Sequence, residues 1–281
     1  MKIVIQKFGG TSIAAPETRC RAVQKILSAK KTGYHPVVVV SAMGRNGAPY
    51  ATDTLIAFAR DVYPDTHPRE MDMLMSCGEI VSSVVMVNML KSKGYDAMAL
   101  TGGQAGIITN NRYGNAVILK IQPDRILQCI EKGKIPVVAG FQGITENGDI
   151  TTLGRGGSDT TAAALGEALA ASFIEIYTDV DGIMTADPRI VPNASVLKHI
   201  SYSEVFQIAD QGAKVIHPRA IEIAMGSKIP VVIRNTNGNG PGTIISSYFD
   251  RGYVLAKSED PDWVVASITH IPDRTQVIVK A

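Results

Sequence analysis

Short β-prone runs alternate with amphipathic segments along most of the chain. Residues 1–8 alternate between apolar and polar side chains, whereas residues 37–40 are apolar throughout. Between these two runs, apolar side chains recur at helical spacing over residues 17–31, and Gly33 follows as a stop signal. A strand, a helix and a second, fully apolar strand predict a βαβ unit in a parallel sheet that helices cover.

The same alternation continues beyond this first unit. Asn147-Gly148 is a strong hairpin signal, and the hairpin would deliver the chain to residue 151. Ser158 and Thr52 are the expected N-caps of the helices that follow them. We predict further strands at 96–100, 135–139, 173–177, 230–234 and 243–245, and further helices at 68–93, 123–131, 160–171, 203–211 and 219–225. The fold class is therefore expected to be α/β, with an open, mainly parallel central sheet.

Composition and charge argue against several other classes of protein. The chain has 281 residues, of which 45% are hydrophobic and 19% charged, and its formal net charge of +2 gives no ground for a nucleic-acid partner. The three cysteines form no Cys-x-x-Cys pair and the histidines show no ligand spacing, so we expect neither disulfides nor a protein-held metal. We find no signal-peptide pattern and no apolar run that approaches a membrane span. A soluble cytoplasmic protein without a membrane partner is expected.

Glycines, a lysine and a hydroxyl follow the first two predicted strands. Lys7 lies at the end of the first strand, Gly9 and Gly10 come directly after it, and Ser41 follows the second strand. In open parallel sheets, ligands bind at this edge, and free backbone amides beside a lysine suit a phosphate group. The segment lacks the Gly-x-x-x-x-Gly-Lys-Ser/Thr spacing of a P-loop, so a nucleotide site here would be of another type. The alternative is a lysine that only reaches water.

The stretch Thr-Thr-Leu-Gly-Arg-Gly-Gly-Ser-Asp at 151–159 combines several chemical types directly before a helix. Gly156 and Gly157 allow the backbone to approach a ligand, and the first helical turn offers partial positive charge to an anion. Arg155 adds a planar fork that suits a carboxylate or a phosphate. The alternative is a tight strand-to-helix turn with a surface arginine. The convergence of glycines, cation, hydroxyls and carboxylate favours a substrate-holding turn.

Glu79 lies in an otherwise apolar neighbourhood, between Cys77-Gly78 and Ile80-Val81, where a carboxylate usually needs a cationic partner such as a bound amino group. A carboxylate for an ammonium group and an arginine for a carboxylate are the pair expected for an amino-acid substrate. Thr52 is either a helix cap or a site residue. Thr178 and Asp179 follow another strand, and Lys214 could reach a phosphate. The set suits phosphoryl transfer, with a divalent ion bound by the nucleotide phosphates.

These motifs resemble those of the aspartokinases in the amino-acid kinase superfamily. The resemblance spans roughly residues 2–246, and 151–159 is its discriminating motif. The spacing around Tyr50-Ala51-Thr52-Asp53 is most similar to the Gram-positive bacterial form. The other matching motifs are Lys7-Phe8-Gly9-Gly10-Thr11-Ser12, Ser41-Ala42-Met43-Gly44, Cys77-Gly78-Glu79, Thr178-Asp179-Val180-Asp181-Gly182, Asp187-Pro188-Arg189 and Gly212-Ala213-Lys214-Val215.

The resemblance implies phosphorylation of the side-chain carboxylate of L-aspartate by ATP with Mg²⁺. The product, 4-phospho-L-aspartate, would serve the biosynthesis of lysine through diaminopimelate, and of threonine and methionine. In the implied catalytic pair, Lys7 stabilises the phosphoryl charge and Asp159 orients it. The residues implied in aspartate binding are Thr52, Glu79, Arg155, Gly156, Gly157 and Ser158. The residues implied in nucleotide binding are Lys7, Gly9, Gly10, Ser41, Thr178, Asp179, Met184, Asp187, Arg189, Lys214 and Val215, with Met184 where many relatives carry tyrosine.

The resemblance also implies a division of the chain. Residues 1–246 would form a catalytic domain with the three-layer αβα sandwich of the amino-acid kinase fold, in which the part from about 170 onward binds the nucleotide. Residues 247–262 are expected to be a linker. Residues 263–281 resemble the first strands of the ACT regulatory region into which aspartokinases continue, so we expect a shortened chain or a form without that regulation. A homo-oligomer is also implied.

Two alternatives stay open. The first is another amino-acid kinase, acting on acetylglutamate, glutamate or uridylate. Such kinases share the sheet and the glycine loops but lack the combination of the Cys77-Gly78-Glu79 motif with the 151–159 motif. A non-catalytic amino-acid sensor would keep the fold alone, and four intact residues argue against it: Lys7, Glu79, Arg155 and Asp159.

Overall fold

A computed structural model describes residues 1–210, 216–247, 265–271 and 274–279. In chain order, the strands β1 to β14 are Ile3–Phe8, His35–Val40, Ala97–Leu100, Ile107–Thr109, Ile118–Ile121, Ile135–Ala139, Gln142–Ile144, Ile150–Thr152, Phe173–Thr178, His199–Ser201, Val231–Asn235, Thr243–Ser246, Val265–Ile271 and Arg274–Val279. The helices α1 to α7 are Pro16–Lys31, Thr52–Val62, Pro68–Ser92, Asp124–Glu131, Gly157–Ala168, Tyr202–Asp210 and Pro218–Ser227.

The central sheet has eight strands in the order β10-β12-β11-β9-β1-β2-β6-β3. The six strands from β11 to β3 run parallel, and β12 pairs antiparallel with β11. Phe8, the last residue of β1, lies opposite Val40 of β2 and Tyr177 of β9, and Thr178 lies opposite Asn235 of β11. The carboxyl ends of four neighbouring strands therefore meet at one edge, where open α/β sheets bind ligands.

Helices cover both faces of this sheet. On one face, α1 and α3 pack over a core that includes Phe8 and Val40. On the other face, α4 and α5 pack over a core that includes Ile5, Val39 and Ile176. Neighbouring residues of a strand enter different cores because successive side chains point to opposite faces. The predicted three-layer sandwich with a mainly parallel sheet is confirmed.

A second sheet, in the order β5-β4-β7-β8, is formed by the chain between β3 and α5. Its strands β7 and β8 pair antiparallel around the turn that contains Asn147-Gly148, and Gly148 has a φ of 88°. This is the predicted hairpin, and β8 leads directly into the 151–159 segment. The strands β13 and β14 form a separate antiparallel pair within residues 263–281. The linker assigned to 247–262 lies outside the described residues except at 247, so the division into domains stays a prediction.

By length and composition, α3 could cross a membrane, with a mean hydropathy of 1.6 over its most apolar window. The expectation that no apolar run approaches a membrane span is wrong by this measure. Half of that apolar stretch of α3 is buried inside the protein, and the helix packs against β3, β6 and β8. It also buries Asp72 and Glu79 inside the protein. These features are typical of the core helix of an α/β domain.

Two helices begin differently from the prediction. The N-cap of α5 is Gly156, in a left-handed conformation with a φ of 68°, so Ser158 lies in the first turn and is not the N-cap. Thr52 is the first residue of α2 and not its cap, because the cap position is occupied by the extended Ala51. A left-handed residue is needed to turn the chain into α5, and glycine adopts that conformation at little cost.

Candidate active site

The loops that follow β1 and β2 touch each other at the sheet edge. The carbonyl oxygen of Gly10 accepts a hydrogen bond of 3.2 Å from the amide of Gly44. A Cβ atom on Gly10 would lie only 2.6 Å from the carbonyl oxygen of Ala42, so glycine is required at this approach. The backbone of Gly9 and Gly10 therefore lies against the loop that starts at Ser41, and the three residues predicted to line the phosphate path belong to adjacent segments.

Lys7 and Asp159 form an ion pair, with 2.6 Å between Nζ and Oδ1 and 13% of each side chain exposed. Lys7 lies near the carboxyl end of β1, and Asp159 lies in the first turn of α5. A Cβ on Gly9 would be 3.7 Å from the ammonium nitrogen of Lys7, so the ammonium group lies beside the glycine loop. The two residues predicted to be catalytic are thus in contact, and the carboxylate fixes the position of the positive charge.

Glu79 is 2% exposed and has no cationic partner among the residues described. Its Oε1 accepts a hydrogen bond of 3.0 Å from the amide of Ala42, whereas its buried Oε2 has no hydrogen-bond partner. Burial raises the pKa of this carboxyl to about 8, and the Ala42 hydrogen bond opposes the rise only in part. A bound ammonium group would supply the missing partner and favour the ionised carboxylate.

Gly78 allows α3 to bring Glu79 against the loop that follows β2. A Cβ on Gly78 would lie 2.6 Å from the carbonyl oxygen of Tyr50 and 2.7 Å from the Cβ of Ala42. Any larger residue would push the helix away from this loop and lengthen the hydrogen bond from Ala42 to Glu79. Thr52, two residues after Tyr50, begins α2 at the end of the same loop.

The turn before α5 packs against His217, a residue to which the sequence assigned no role. A Cβ on Gly156 would lie 2.2–2.4 Å from atoms of the His217 side chain, which explains the glycine. His217 also caps α7, since its Nδ1 accepts a hydrogen bond of 3.3 Å from the amide of Arg219, and burial lowers its pKa. Ser158, in the first turn of α5, is buried and lies close to Gly140. A Cβ atom on Gly140 would be only 2.9 Å from the Oγ of Ser158.

Asp72 anchors the segment that leads into this turn, and it was not among the predicted residues. It is fully buried, and its carboxylate accepts hydrogen bonds from the Gly114 amide at 2.9 Å, the Thr152 amide at 2.8 Å and the Thr152 hydroxyl at 2.7 Å. Burial raises the pKa of Asp72, and these hydrogen bonds oppose the rise. Asp72 lies seven residues before Glu79, about two helical turns away on the same helix face. The signal that identified Glu79, a carboxylate in an apolar helix, also applies to Asp72.

Arg155 is exposed in the turn between β8 and α5. Within the described ranges, no hydrogen bond or ion pair holds its guanidinium group. Gly157, the first residue of α5, packs tightly, because a Cβ there would lie 2.7 Å from the Phe141 ring. The cation is therefore carried by a rigid backbone and is available to an anionic ligand.

At the edge predicted to bind the nucleotide, the loops after β2 and β9 are joined at the surface. The hydroxyl of Thr178 donates a hydrogen bond of 3.2 Å to Asp179, and Arg45 forms an ion pair of 2.8 Å with the same carboxylate. Arg45 was not among the predicted residues, and a loop arginine without a motif gave no signal. Exposed ion pairs stabilise proteins little, so Asp179 can change partners at small cost.

Three further predicted nucleotide contacts, Met184, Asp187 and Arg189, lie on the long connection after β9. Met184 forms an isolated antiparallel bridge with Val196. Arg189 is 88% exposed and forms an ion pair of 2.7 Å with Asp187. Lys214 and Val215 lie outside the described residues, so the structure gives no geometry for them. Asp187 and Arg189 thus lie in a turn that their own ion pair holds together.

The arrangement offers a cation beside the glycine loop for a phosphate group, a buried carboxylate for an ammonium group and an exposed guanidinium for a carboxylate. The amide of Gly9, predicted to be free for a phosphate, instead donates a hydrogen bond of 3.2 Å to the carbonyl oxygen of Tyr177. No group of three or more His, Cys, Asp or Glu side chains in the described part of the chain could hold a metal ion. A divalent ion that arrives with a nucleotide generally takes several of its ligands from phosphate oxygens and water. These properties suit phosphoryl transfer to an amino acid.

Comparisons with known proteins agree with this chemistry. The sequence model of the amino acid kinase family matches residues 2–235. Aspartokinase 1 of Bacillus subtilis is 49% identical over 281 residues, which are 100% of this chain and 69% of that protein. The aspartokinase of Geobacillus stearothermophilus is 47% identical over 245 residues, which are 87% of this chain and 59% of that protein.

A solved structure gives the same result. Aspartokinase III of E. coli in complex with aspartate and ADP aligns with a TM-score of 0.79 at 28% identity, over 95% of this chain and 67% of that one. The chain spans 59% to 69% of the length of the two sequence relatives. The family match covers most of the chain, and the similarity to the Bacillus protein extends over all of it. The predicted resemblance is confirmed: the chain belongs to the amino acid kinase family and, within it, to the aspartokinases.

Proposed function

We propose that this chain transfers the γ-phosphoryl group of ATP to the side-chain carboxylate of L-aspartate, giving 4-phospho-L-aspartate and ADP. The observation that carries the proposal is the buried, unpartnered oxygen of Glu79 beside the loop that follows β2. A buried carboxylate of this kind needs a cation, and the α-ammonium group of an amino acid supplies it. The presence of aspartate and ADP in the related E. coli structure supports the same pair of ligands.

The acceptor site is proposed to grip both ends of aspartate. Glu79 binds the ammonium group, and Arg155 binds a carboxylate through its planar guanidinium. Thr52 and Ser158 are neighbouring polar contacts. The backbone of Gly156 and Gly157 brings the positive end of α5 toward the same carboxylate.

The phosphoryl transfer needs little help from a general base, because the acceptor is a carboxylate. The side-chain carboxylate of aspartate has a pKa near 3.9 and is already ionised at neutral pH. One of its oxygens forms a bond to the γ-phosphorus while the bond from that phosphorus to the leaving ADP oxygen breaks. The protein then contributes positioning and positive charge, which Lys7 supplies beside the glycine loop. Asp159 holds the Lys7 ammonium group in place, as their 2.6 Å ion pair suggests.

ATP is proposed to bind along the carboxyl ends of β1, β2 and β9. Its phosphates lie against Lys7, Gly9, Gly10 and Ser41, and Mg²⁺ is held by the phosphates. When bound, Mg²⁺ neutralises part of the phosphate charge. The other proposed nucleotide contacts are Thr178, Asp179, Met184, Asp187, Arg189, Lys214 and Val215.

The product is an acyl phosphate, which we assign to the biosynthesis of lysine, threonine and methionine in the cytoplasm. We also propose that the chain acts as a homo-oligomer. Both assignments rest on membership of the aspartokinases.

An aspartyl-hydroxamate assay tests the function. Hydroxylamine traps an acyl phosphate, so ATP, magnesium and aspartate should together give a coloured product that vanishes when any of the three is omitted. Acetylglutamate, glutamate and UMP serve as competing acceptors, with ADP release as the readout. Turnover of one of these without turnover of aspartate would show that the assignment is wrong. Binding of aspartate without any turnover would favour the sensor.

A further inference from the structure

Thr236 contacts two different loops at the sheet edge, although it belongs to none of the motifs that identified the family. It directly follows β11 and is 1% exposed. Its hydroxyl donates a hydrogen bond of 2.7 Å to the hydroxyl of Ser12, and its amide donates one of 2.9 Å to the carbonyl oxygen of Thr178. One residue therefore bonds to the glycine loop after β1 and to the loop after β9.

Ser12 extends this contact into a short chain of hydrogen bonds. Ser12 is buried in the single 3₁₀ turn Gly10–Ile13, and its hydroxyl donates a hydrogen bond of 3.2 Å to the carbonyl oxygen of Tyr177. The same carbonyl oxygen accepts a hydrogen bond of 3.2 Å from the amide of Gly9. Hydrogen bonds in such a chain polarise and strengthen one another in a buried setting.

The position of this chain gives it a specific task. The pairing of β1 with β9 ends at Phe8 and Tyr177, so beyond that point no strand ladder fixes the two loops relative to each other. Where the ladder stops, the Gly9 amide bonds to Tyr177, and Ser12 and Thr236 add a second, side-chain link. This link joins the loop that carries Gly9 and Gly10 to the end of β9, whose last residue is Thr178, and these three residues are the proposed phosphate and nucleotide contacts.

We propose that Thr236 is a positioning residue for the nucleotide, which fixes the glycine loop relative to the loop after β9 through its hydrogen bond to Ser12. The inference rests on the proposed function and deepens it. Thr236 touches no reacting atom. Its loss is expected to misplace the two halves of the nucleotide site while leaving the acceptor residues Glu79 and Arg155 in place.

The test is a pair of substitutions at Thr236. Thr236→Val keeps the shape of the side chain and removes the hydroxyl, and Thr236→Ser keeps the hydroxyl. Thr236→Val should lower kcat/KM for ATP by about fivefold to tenfold, the range expected for one buried hydrogen bond. The KM for aspartate should stay within about twofold, and Thr236→Ser should restore most of the loss.

A double-mutant cycle with Ser12→Ala separates the proposed link from a general loss of packing. If the two hydroxyls act through one bond, the double variant should be little worse than the poorer single variant. A matched control is Thr109→Val, which removes one member of another buried hydroxyl pair, Thr109 with Thr151 at 2.6 Å, in the second sheet. This control should leave the KM for ATP unchanged.

Three outcomes would overturn the inference: an unchanged kcat/KM for ATP in Thr236→Val, equal effects on ATP and aspartate, or additive effects of Ser12→Ala and Thr236→Val. If Thr236→Val does not fold, the same readouts on Ser12→Ala and Thr236→Ser decide. Failure of the proposed function is distinguishable, because the unsubstituted chain would then give no hydroxamate with aspartate.

Discussion

On the proposed acceptor side of the site, Glu79 is buried and accepts a hydrogen bond from the amide of Ala42, whereas on the proposed nucleotide side Asp187 forms an ion pair with the exposed Arg189. Glu79 lies on a long core helix that also carries the buried Asp72. Arg189 is 88% exposed, in the connection after β9. The first group is held in place before any ligand arrives, and the second can rearrange around one.

The difference indicates where rigidity matters for binding. A buried carboxylate without a cation is energetically unfavourable, and a ligand with an ammonium group relieves this, so the acceptor site is built for one chemical type. Exposed ion pairs exchange partners with little change in free energy, so the nucleotide side tolerates substitution better. Substitutions should therefore have large effects at Lys7 and Glu79 and small effects in the turn that holds Arg189.

The largest effect is expected for Lys7→Ala. Removal of one preorganised positive group next to the transferred phosphoryl should lower kcat by about 10²–10³-fold, because the charge on that group is greatest in the transition state. The KM values for aspartate and ATP should change less, as steady-state hydroxamate kinetics would reveal. Lys120→Ala, which removes an exposed lysine paired with Glu146 in the second sheet, is the matched control. An unchanged kcat in Lys7→Ala would contradict the proposal that Lys7 is a catalytic residue.

The second largest effect is expected for Glu79→Gln, which keeps the shape of the side chain and removes its negative charge. Truncating the charge of one partner in a buried ion pair costs roughly 3 kcal/mol, so the KM for aspartate should rise by about 100-fold. Initial-rate measurements at varied aspartate test this value, and the KM for ATP should move by less than about twofold. Glu70→Gln alters an exposed carboxylate on the same helix and should leave both constants unchanged. Equal increases in both KM values would show that Glu79 supports the whole site and not the ammonium group.

Arg155→Ala should also act on the acceptor, more weakly than Glu79→Gln. Hydrogen bonds to a charged group contribute roughly 2 kcal/mol, so we expect the KM for aspartate to rise by about 30-fold with a smaller change in kcat. Arg112→Ala, another exposed arginine, is the control, and saturation curves for aspartate provide the measurement. An unchanged KM in Arg155→Ala would remove Arg155 from the acceptor site.

The pKa of Glu79 adds a pH dependence to the acceptor side. In the free protein burial raises this pKa to about 8, so near neutral pH the carboxyl holds a proton that must leave when an ammonium group binds. The KM for aspartate should therefore fall as pH rises toward 8, by roughly tenfold between pH 7 and pH 8.5. Kinetics across this range test the sign, and Glu79→Gln should flatten the profile. A KM that rises with pH would contradict the proposal.

The raised pKa of Glu79 also makes the stability of the folded protein depend on pH. A carboxyl whose pKa is raised by folding binds more protons in the folded state than in the unfolded state, from its ordinary pKa of 4.5 up to about 8. The free protein should lose stability as pH rises through that window, and aspartate should restore part of the loss. Thermal unfolding of the native chain and of Glu79→Gln, at pH 5 and pH 8.5, would measure the difference. A greater decline in Glu79→Gln than in the native chain would contradict this account.

Local patterns revealed seven of the eight strands of the central sheet, the glycine loops and the buried acid Glu79, because periodicity and residue chemistry act over a few positions. The short strands β4, β5 and β10 were not among the predicted strands. Contacts between distant residues were not visible. Gly156 replaces Ser158 as the N-cap because the chain turns into α5 through a left-handed residue, and the His217 side chain occupies the space that a Cβ at 156 would need. The bond between Ser12 and Thr236 joins positions 224 residues apart, and although Ser12 ends the motif after the first strand, no local pattern pairs it with Thr236.

The smallest effect is expected for Arg189→Ala on the nucleotide side. The guanidinium group is exposed and already paired with Asp187, so its loss should raise the KM for ATP by only about threefold and leave the KM for aspartate unchanged. Arg45→Ala removes the other exposed pair on this side, with Asp179, and should have an effect of similar size. Both effects should shrink as salt is added, because exposed charges are screened, whereas the effect of Glu79→Gln should persist. An increase of about 100-fold in the KM for ATP in Arg189→Ala would contradict the contrast between the two sides of the site. The surface turn would then contribute as much to ligand binding as the buried acceptor site.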